Sequence, residues 1–436
     1  RYDGSSKFAK DHRYAFFPSV SAAWRISEEN FWQPLKGWWN DMKIRGSYGS
    51  LGNQVMDDLG NFPYLATYGT NSSYNYLING SKPVIVKAPG LVAPDFTWET
   101  VTQMDFGFDA SFLNNRLTGT FDWYRRNTKD MLVAGATLPA TLGASVPKSN
   151  SADMKTIGWE LSLGWNDRLE NGFSYWVKGV LSDYQATITK YAGNDAGFYS
   201  QSDDDGKYYV GQKIGEIWGY HSNGLFQSDD EAATIDQSEL YAGKWGAGDV
   251  KYEDLDNDGK ITKGEETIYN PGDKSIIGNK TPRYQFGITV GFDYKNFDFE
   301  MFWQGTGKRD YMLSGAQFWG FTSQWDVPYT PALDYWTETN TDAYFPRPGW
   351  QNGGNRVTSD RYLQSAAYGR LKNLTVGYTI PKNLTTKWGI SRLRLYVTGE
   401  NLLTITPLND AFDPETLGGM TYPINRKVAI GLNLTL

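Results

Sequence analysis

The sharpest chemistry in the sequence lies between residues 254 and 265. Asp254, Asp256 and Asp258 alternate ahead of Gly259, and Lys260, Thr262 and Glu265 follow at the spacing of the calcium loop D-x-D/N-x-D/N-G-x5-E. Three carboxylates, one backbone carbonyl (Lys260), a position 9 residue (Thr262) and a bidentate Glu265 are hard oxygen donors that can wrap one Ca2+. The pattern predicts a structural calcium ion that pins a long loop. No helix pattern flanks it, so it does not read as an EF-hand. A second acidic run, Asp203-Asp204-Asp205-Gly206, lacks the alternation and reads as a solvated turn.

Little else could do covalent chemistry. The chain has no Cys and 2 His (His12 and His221), which excludes disulfides and thiolate sites and makes a multi-His metal centre or a His-based triad improbable. The neighbouring acids Asp203/Asp204 and Asp229/Asp230 do not form a glycosidase pair, because adjacency in sequence does not oppose two carboxyls across a cleft. A net charge of -7 with no long basic run gives nucleic acid no footprint. The sequence therefore predicts no enzyme.

The elements that must carry the calcium loop repeat every two residues. Met104, Phe106, Phe108, Ala110 and Phe112 alternate with Asp105, Gly107, Asp109 and Ser111. Trp159, Leu161, Leu163 and Trp165 do the same, as do Tyr284 to Tyr294 and Val428 to Leu436. Such alternation predicts strands with one apolar and one polar or small face. Roughly a dozen segments approach the ~10 residues that a tilted strand needs to cross a bilayer. No apolar run is long enough for a transmembrane helix. Aromatic residues close the apolar stripes (Trp123, Trp159, Trp165, Tyr284, Tyr294, Trp303, Tyr378), as in membrane-barrel girdles.

Parity locates the turns. Phe112 and Leu117 share the apolar face only if Asn114-Asn115 is a tight turn, and Tyr294 and Phe297 require another at Lys295-Asn296. Long polar connections run over 129–154, 189–282 and 305–362. Short turns on one side and long loops on the other describe a transmembrane antiparallel β-barrel in an all-β chain. The rival is a secreted calcium-stabilised β-protein that binds glycans. Its apolar faces would point inward, but the other face here is rich in Gly, Ser, Thr, Asp and Asn, like a wet lumen.

Specific phrases then carry a resemblance. Arg1-Tyr2-Asp3-Gly4-Ser5-Ser6-Lys7-Phe8, Phe17-Pro18-Ser19-Val20-Ser21-Ala22-Ala23-Trp24-Arg25-Ile26-Ser27 and Lys43-Ile44-Arg45-Gly46-Ser47-Tyr48-Gly49 open the series. Gly215-Glu216-Ile217-Trp218-Gly219-Tyr220, Gly224-Leu225-Phe226-Gln227, the Asp254 loop, Arg370-Leu371-Lys372-Asn373-Leu374-Thr375-Val376-Gly377-Tyr378, Gly399-Glu400-Asn401-Leu402 and Asp413-Pro414-Glu415 continue it. In order and spacing these resemble the SusC/RagA family of TonB-dependent outer-membrane transporters over nearly the whole of residues 1–436.

The resemblance implies the later part of a barrel, 12–14 of an expected 22 strands. The family's signal peptide, plug and other N-terminal domains do not precede Arg1, and the family's usual terminal aromatic is Leu436 here. It implies TonB-driven import of oligosaccharides, or of peptides, in the bacterial outer membrane, with a SusD-like lipoprotein as lid and TonB engaged through the missing N-terminal part. The long loops would meet substrate and lid. Their tryptophans are candidates for stacking on sugar rings: Trp245, Trp325, Trp336 and Trp350, with Trp218 and Trp319 beside them.

Overall fold

A computed structural model describes residues 1–54, 60–71, 77–93, 95–135, 138–199, 207–417 and 422–436. Eleven strands form one antiparallel sheet in which every strand neighbours the next in sequence. They are β1 (Ser19–Arg25), β2 (Trp39–Asn53), β3 (Glu99–Phe112), β4 (Leu117–Ala134), β5 (Lys148–Arg168), β6 (Ser174–Tyr191), β7 (Arg283–Tyr294), β8 (Phe297–Lys308), β9 (Tyr368–Thr379), β10 (Arg392–Ile405) and β11 (Lys427–Thr435). The sheet is open: β1 and β11 are its two edges.

Register turns the sequence alternation into a surface. Trp24, Ile44, Phe108, Phe121, Leu161, Leu181 and Phe286 are successive cross-strand partners from β1 to β7. Phe292, Phe299, Val376, Val397 and Ile430 continue the same face to β11. Much of this face is bare: Phe106, Leu163, Val397 and Ile430 are exposed. A continuous apolar band of this size on a protein surface marks contact with another apolar phase.

The opposite face carries charge in pairs. The Arg45 guanidinium on β2 reaches Asp109 on β3 and, across Gly107, Asp122 on β4. A Cβ on Gly107 would lie 2.4 Å from an Asp122 carboxylate oxygen, so glycine opens this path. Arg394 meets Asp298 across Gly377 in the same manner.

The short-turn end matches the parity argument. Phe112 pairs with Leu117 and Tyr294 with Phe297. Leu113, Asn114, Asn115 and Lys295 all take the left-handed backbone, for which Asn is well suited. Aromatic rings collect here: Trp38 and Trp39 stack near Phe112, Phe173 on Phe292, and Phe297 against Tyr378.

Two expectations need correction. Among the described residues the sheet has eleven strands rather than 12–14; inside the long connection 189–282, Glu216–Tyr220 pairs with Lys274–Asn279 and Ser222–Leu225 with Val250–Tyr252. Half of the supposed loop over 129–154 is a continuation of the β4–β5 hairpin, to Ala134 and from Lys148. Its Ser149, Asn150 and Ser151 show no apolar alternation, because this stretch rises above the apolar band. Asn150 instead clamps the 54–98 connection, bonding Thr97 N–H at 2.8 Å and Thr97 C=O at 2.9 Å.

Candidate functional site

Among the described residues the longest connections leave the sheet at one end, and three segments of them (207–282, 309–367 and 406–417) share a single core. The core of this loop layer is conventional: Tyr220, Val250, Tyr252, Ile261, Leu313, Phe318, Phe345 and Tyr362 are almost completely buried, and Leu408, Phe412 and Leu417 join them from the last connection. Burying each such side chain stabilises the layer by about 1.5–3 kcal/mol. The aromatic members meet edge to face, Trp319 on Tyr362 at 4.6 Å and Phe318 on Phe345 at 5.1 Å.

Buried polar groups then lock the connections together. Asp249 is 1% exposed. It accepts bonds from Asn355 Nδ2 at 2.8 Å, Arg347 at 2.9 Å and the Gly246 N–H at 2.9 Å, which ties 192–282 to 309–367. Arg370 of β9 holds the 406–426 connection through Asp413 and through Glu415 at 3.0 Å. These bonds satisfy groups that would be costly to bury alone. They also make the layer a shaped surface rather than a set of free loops.

The tryptophans divide within this layer. Trp245 and Trp336 pack against the core, Trp245 donating to Tyr241 C=O at 3.0 Å and Trp336 lying over Gly248. Trp319 is a core member, and Trp218 stacks on Tyr199 at 4.2 Å. Trp325 (83% exposed) and Trp350 (46%) present open surface instead. Arg356 brings their segments side by side by donating to the carbonyls of Phe321 at 3.3 Å, Gly349 at 3.2 Å and Trp350 at 3.0 Å.

The acidic loop runs between the strands Val250–Tyr252 and Lys274–Asn279. The structure brings Asp254 and Asp256 together with Asp273: one carboxylate oxygen from each lies within 4.8 Å of the others. Asp254 accepts the Gly259 N–H at 2.8 Å, and Asp258 accepts the Lys260 N–H at 2.8 Å. Ile261 drops into the core and anchors the loop, while Glu265 is exposed. Asp273 is fully buried and accepts the N–H groups of Leu255 and Thr262, both at 2.7 Å. The sequence motif missed it because Asp273 follows the twelve-residue window; its signal is a lone acid immediately before the returning strand.

The carboxylates of the loop act on one another. Desolvation and the carboxylates of Asp258, Asp273 and Asp254 hold the Asp256 carboxyl above its ordinary range. Desolvation also pushes on Asp254, but the N–H groups of Gly259, Asn257 and Asp258 outweigh it and leave that carboxyl below the usual value. The run Asp203–Gly206 lies outside the described residues. Asp229 pairs with Lys244 at 2.6 Å, so the Asp229/Asp230 pair is not an opposed carboxylate couple.

One further constellation was not legible. His221 stands between Asp360, 2.8 Å from Nδ1, and Ser275, whose Oγ is 2.7 Å from Nε2. Sequence separations of 54 and 139 residues hide the grouping, and only the pairing of Glu216–Tyr220 with Lys274–Asn279 creates it.

Residues 1–402 match the family described as TonB dependent receptor-like, β-barrel. The whole chain is 31% identical to TonB-dependent receptor P3 of Formosa agariphila, covering 43% of that protein. It is 27% identical to TonB-dependent receptor SusC of Bacteroides thetaiotaomicron, covering 41%. Among solved structures, the RagAB peptide transporter superposes with a TM-score of 0.76 at 23% identity, over 98% of this chain and 44% of that one. The chain thus spans less than half the length of the curated relatives it matches.

Proposed function

The chain belongs to the TonB-dependent receptor-like β-barrel family of outer-membrane transporters, and from that premise we propose that it is the loop-bearing part of a SusC/RagA-type importer of oligosaccharides. The observation that carries the reading is the pairing of two surfaces. The sheet turns an apolar band outward and a charged face inward, and the long connections at one end form a packed layer with exposed aromatic rings. In lipid, the open edges of β1 and β11 would leave unpaired N–H and C=O groups, each costing several kcal/mol. We therefore read them as joined to further strands that complete a 22-stranded barrel.

In this reading a SusD-like lipoprotein closes over the loop layer, and substrate is caught between the two. Trp325 and Trp350 are the contacts for sugar faces, since they alone among the candidates present broad open rings. Trp245 and Trp336 shape the layer from beneath. Passage inward then requires TonB acting on a plug in the remainder of the protein. The transport cycle makes and breaks no covalent bond in the substrate.

Calcium belongs to the same proposal. Asp254, Asp256 and Asp273 are the carboxylates that would hold Ca2+, with Asp258 beside them. The fit rests on the hard-oxygen donor set and on the raised Asp256 carboxyl, which a divalent cation would relieve. When bound, the ion would neutralise the crowded carboxylates and fix the turn between the strands ending at Tyr252 and starting at Lys274. Glu265, exposed at the motif's twelfth position, is a further candidate ligand.

The deciding experiment is growth of a deletion strain on defined oligosaccharides and, separately, on peptides, with complementation by the Trp325→Ala, Trp350→Ala double variant. The proposal expects loss of growth on one glycan class, restored poorly by the double variant. Growth loss confined to peptides would replace the substrate assignment while leaving the transporter in place.

A further inference from the structure

We propose that Ser275 is an activated nucleophile able to cleave acyl esters, with His221 as its base and Asp360 as the residue that positions His221. Import neither needs nor supplies this activity, so it stands apart from the transport reading.

Three separate segments converge on the site. Gly219 pairs with Ser275 across the small sheet, and His221 lies two residues further along the same face. Asp360 arrives from the 309–367 connection and is fixed twice over. Its N–H donates to Tyr220 C=O at 3.1 Å, and its Oδ1 accepts the Ser222 N–H at 2.9 Å. Those bonds aim the remaining oxygen, Oδ2, at His221 Nδ1, 2.8 Å away. The His221 carbonyl is held in turn by the Glu253 N–H at 2.9 Å.

This geometry sets the tautomer. An ionised Asp360 accepts the Nδ1 proton, which leaves the Nε2 lone pair facing the Ser275 hydroxyl at 2.7 Å. A hydroxyl is a weak nucleophile until such a base takes its proton, and these two contacts are the recognised arrangement of nucleophile, base and orienting acid. The side chains of His221 and Asp360 are 33% and 40% exposed, and Ser275 is half-buried beside them.

The chemistry balances without a cofactor. Ser275 Oγ bonds to the ester carbonyl carbon while Nε2 takes its proton. The carbon–oxygen bond to the alcohol then breaks, and Nε2 returns the proton to the departing alkoxide. Water adds to the acyl-serine with the same nitrogen as base, releasing a carboxylic acid and restoring Ser275. Esters are the natural class, because an alkoxide leaves more readily than an amide nitrogen.

The test treats the intact receptor in detergent with a fluorophosphonate probe and maps the modified peptide by mass spectrometry. The proposal expects phosphonylation at Ser275, none in Ser275→Ala, and a rate lower by about 100-fold or more in His221→Ala. Added imidazole should restore labelling of His221→Ala, which no purely structural role for the ring would produce. Asp360→Asn should slow labelling by more than Asp360→Glu does. Limited proteolysis of the 192–282 and 309–367 connections reports folding of the loop layer in each variant. A folded wild-type protein left unlabelled at Ser275, or equal labelling rates in wild type and folded His221→Ala, would overturn the assignment.

Discussion

The sheet and the loop layer solve opposite packing problems with the same residue types. In the sheet, large apolar side chains such as Leu163, Val397 and Ile430 stand exposed, and charges such as Arg45, Asp109 and Asp122 face inward. In the loop layer Phe318, Tyr362 and Ile261 are buried, while acids such as Asp230 and Asp256 face out. The boundary falls within the ends of β5 and β6 nearest the long connections, where Ala152, Ile188 and Tyr191 are already buried. What differs is the surrounding phase: acyl chains reward exposed apolar surface, and water rewards its removal.

Substitutions in each region should therefore fail in different ways. The largest expected effect is in the loop layer. Phe318→Ala removes a fully buried ring and should cost about 3–5 kcal/mol. Limited proteolysis should then cut 309–367 while heat-modifiable mobility of the barrel persists. Leu163→Arg tests the other region: placed in the band, it should cost about 2–4 kcal/mol and reduce assembly in the membrane. The layer's own stability should be unchanged, as read by proteolysis of whatever fraction inserts.

The proposed calcium sharpens the contrast, because it would act on one region alone. Chelation should remove about 2.7 kcal/mol of protection from residues 250–275 when Ca2+ had been present at 100 times its Kd. Asp256→Ala with Asp258→Ala should abolish the difference between chelated and loaded protein. Acid should release the ion, because carboxylate ligands must be deprotonated to hold it. Equal protease sensitivity with and without chelator would remove calcium from the account.

Gly107→Val should cost about 1–3 kcal/mol by wedging Arg45 from Asp122 on the inner face, measured as a lower unfolding temperature in detergent. The smallest effect is Trp350→Ala, about 0.5–1.5 kcal/mol of ligand affinity by titration calorimetry, with no change in barrel stability.

The two regions also differed in how far their sequence revealed them. Period-two alternation exposed the strands, and the parity switches at Asn114-Asn115 and Lys295-Asn296 fixed two turns to the residue. That worked because lipid demands a consistent face along each strand. Where β4 and β5 rise beyond the apolar band, the demand lapses and so did the signal. In the loop layer the acidic motif marks the turn but does not include Asp273, which folding brings beside Asp254 and Asp256. The tryptophans were visible as a set, yet nothing local distinguishes exposed Trp325 from packed Trp336. His221, Ser275 and Asp360 were invisible for the same reason: contacts across more than fifty residues leave no periodicity.

The central claim is that the two faces of these strands meet different phases. The chain has no Cys, so single cysteines can be placed at will and spin-labelled along β5 in the native outer membrane. Labels at Trp159, Leu161 and Leu163 should collide with dissolved oxygen, and labels at Glu160 and Ser162 with an aqueous nickel complex, alternating residue by residue. Labels at 159, 161 and 163 shielded from both reagents would instead place those side chains inside a globule and contradict the account.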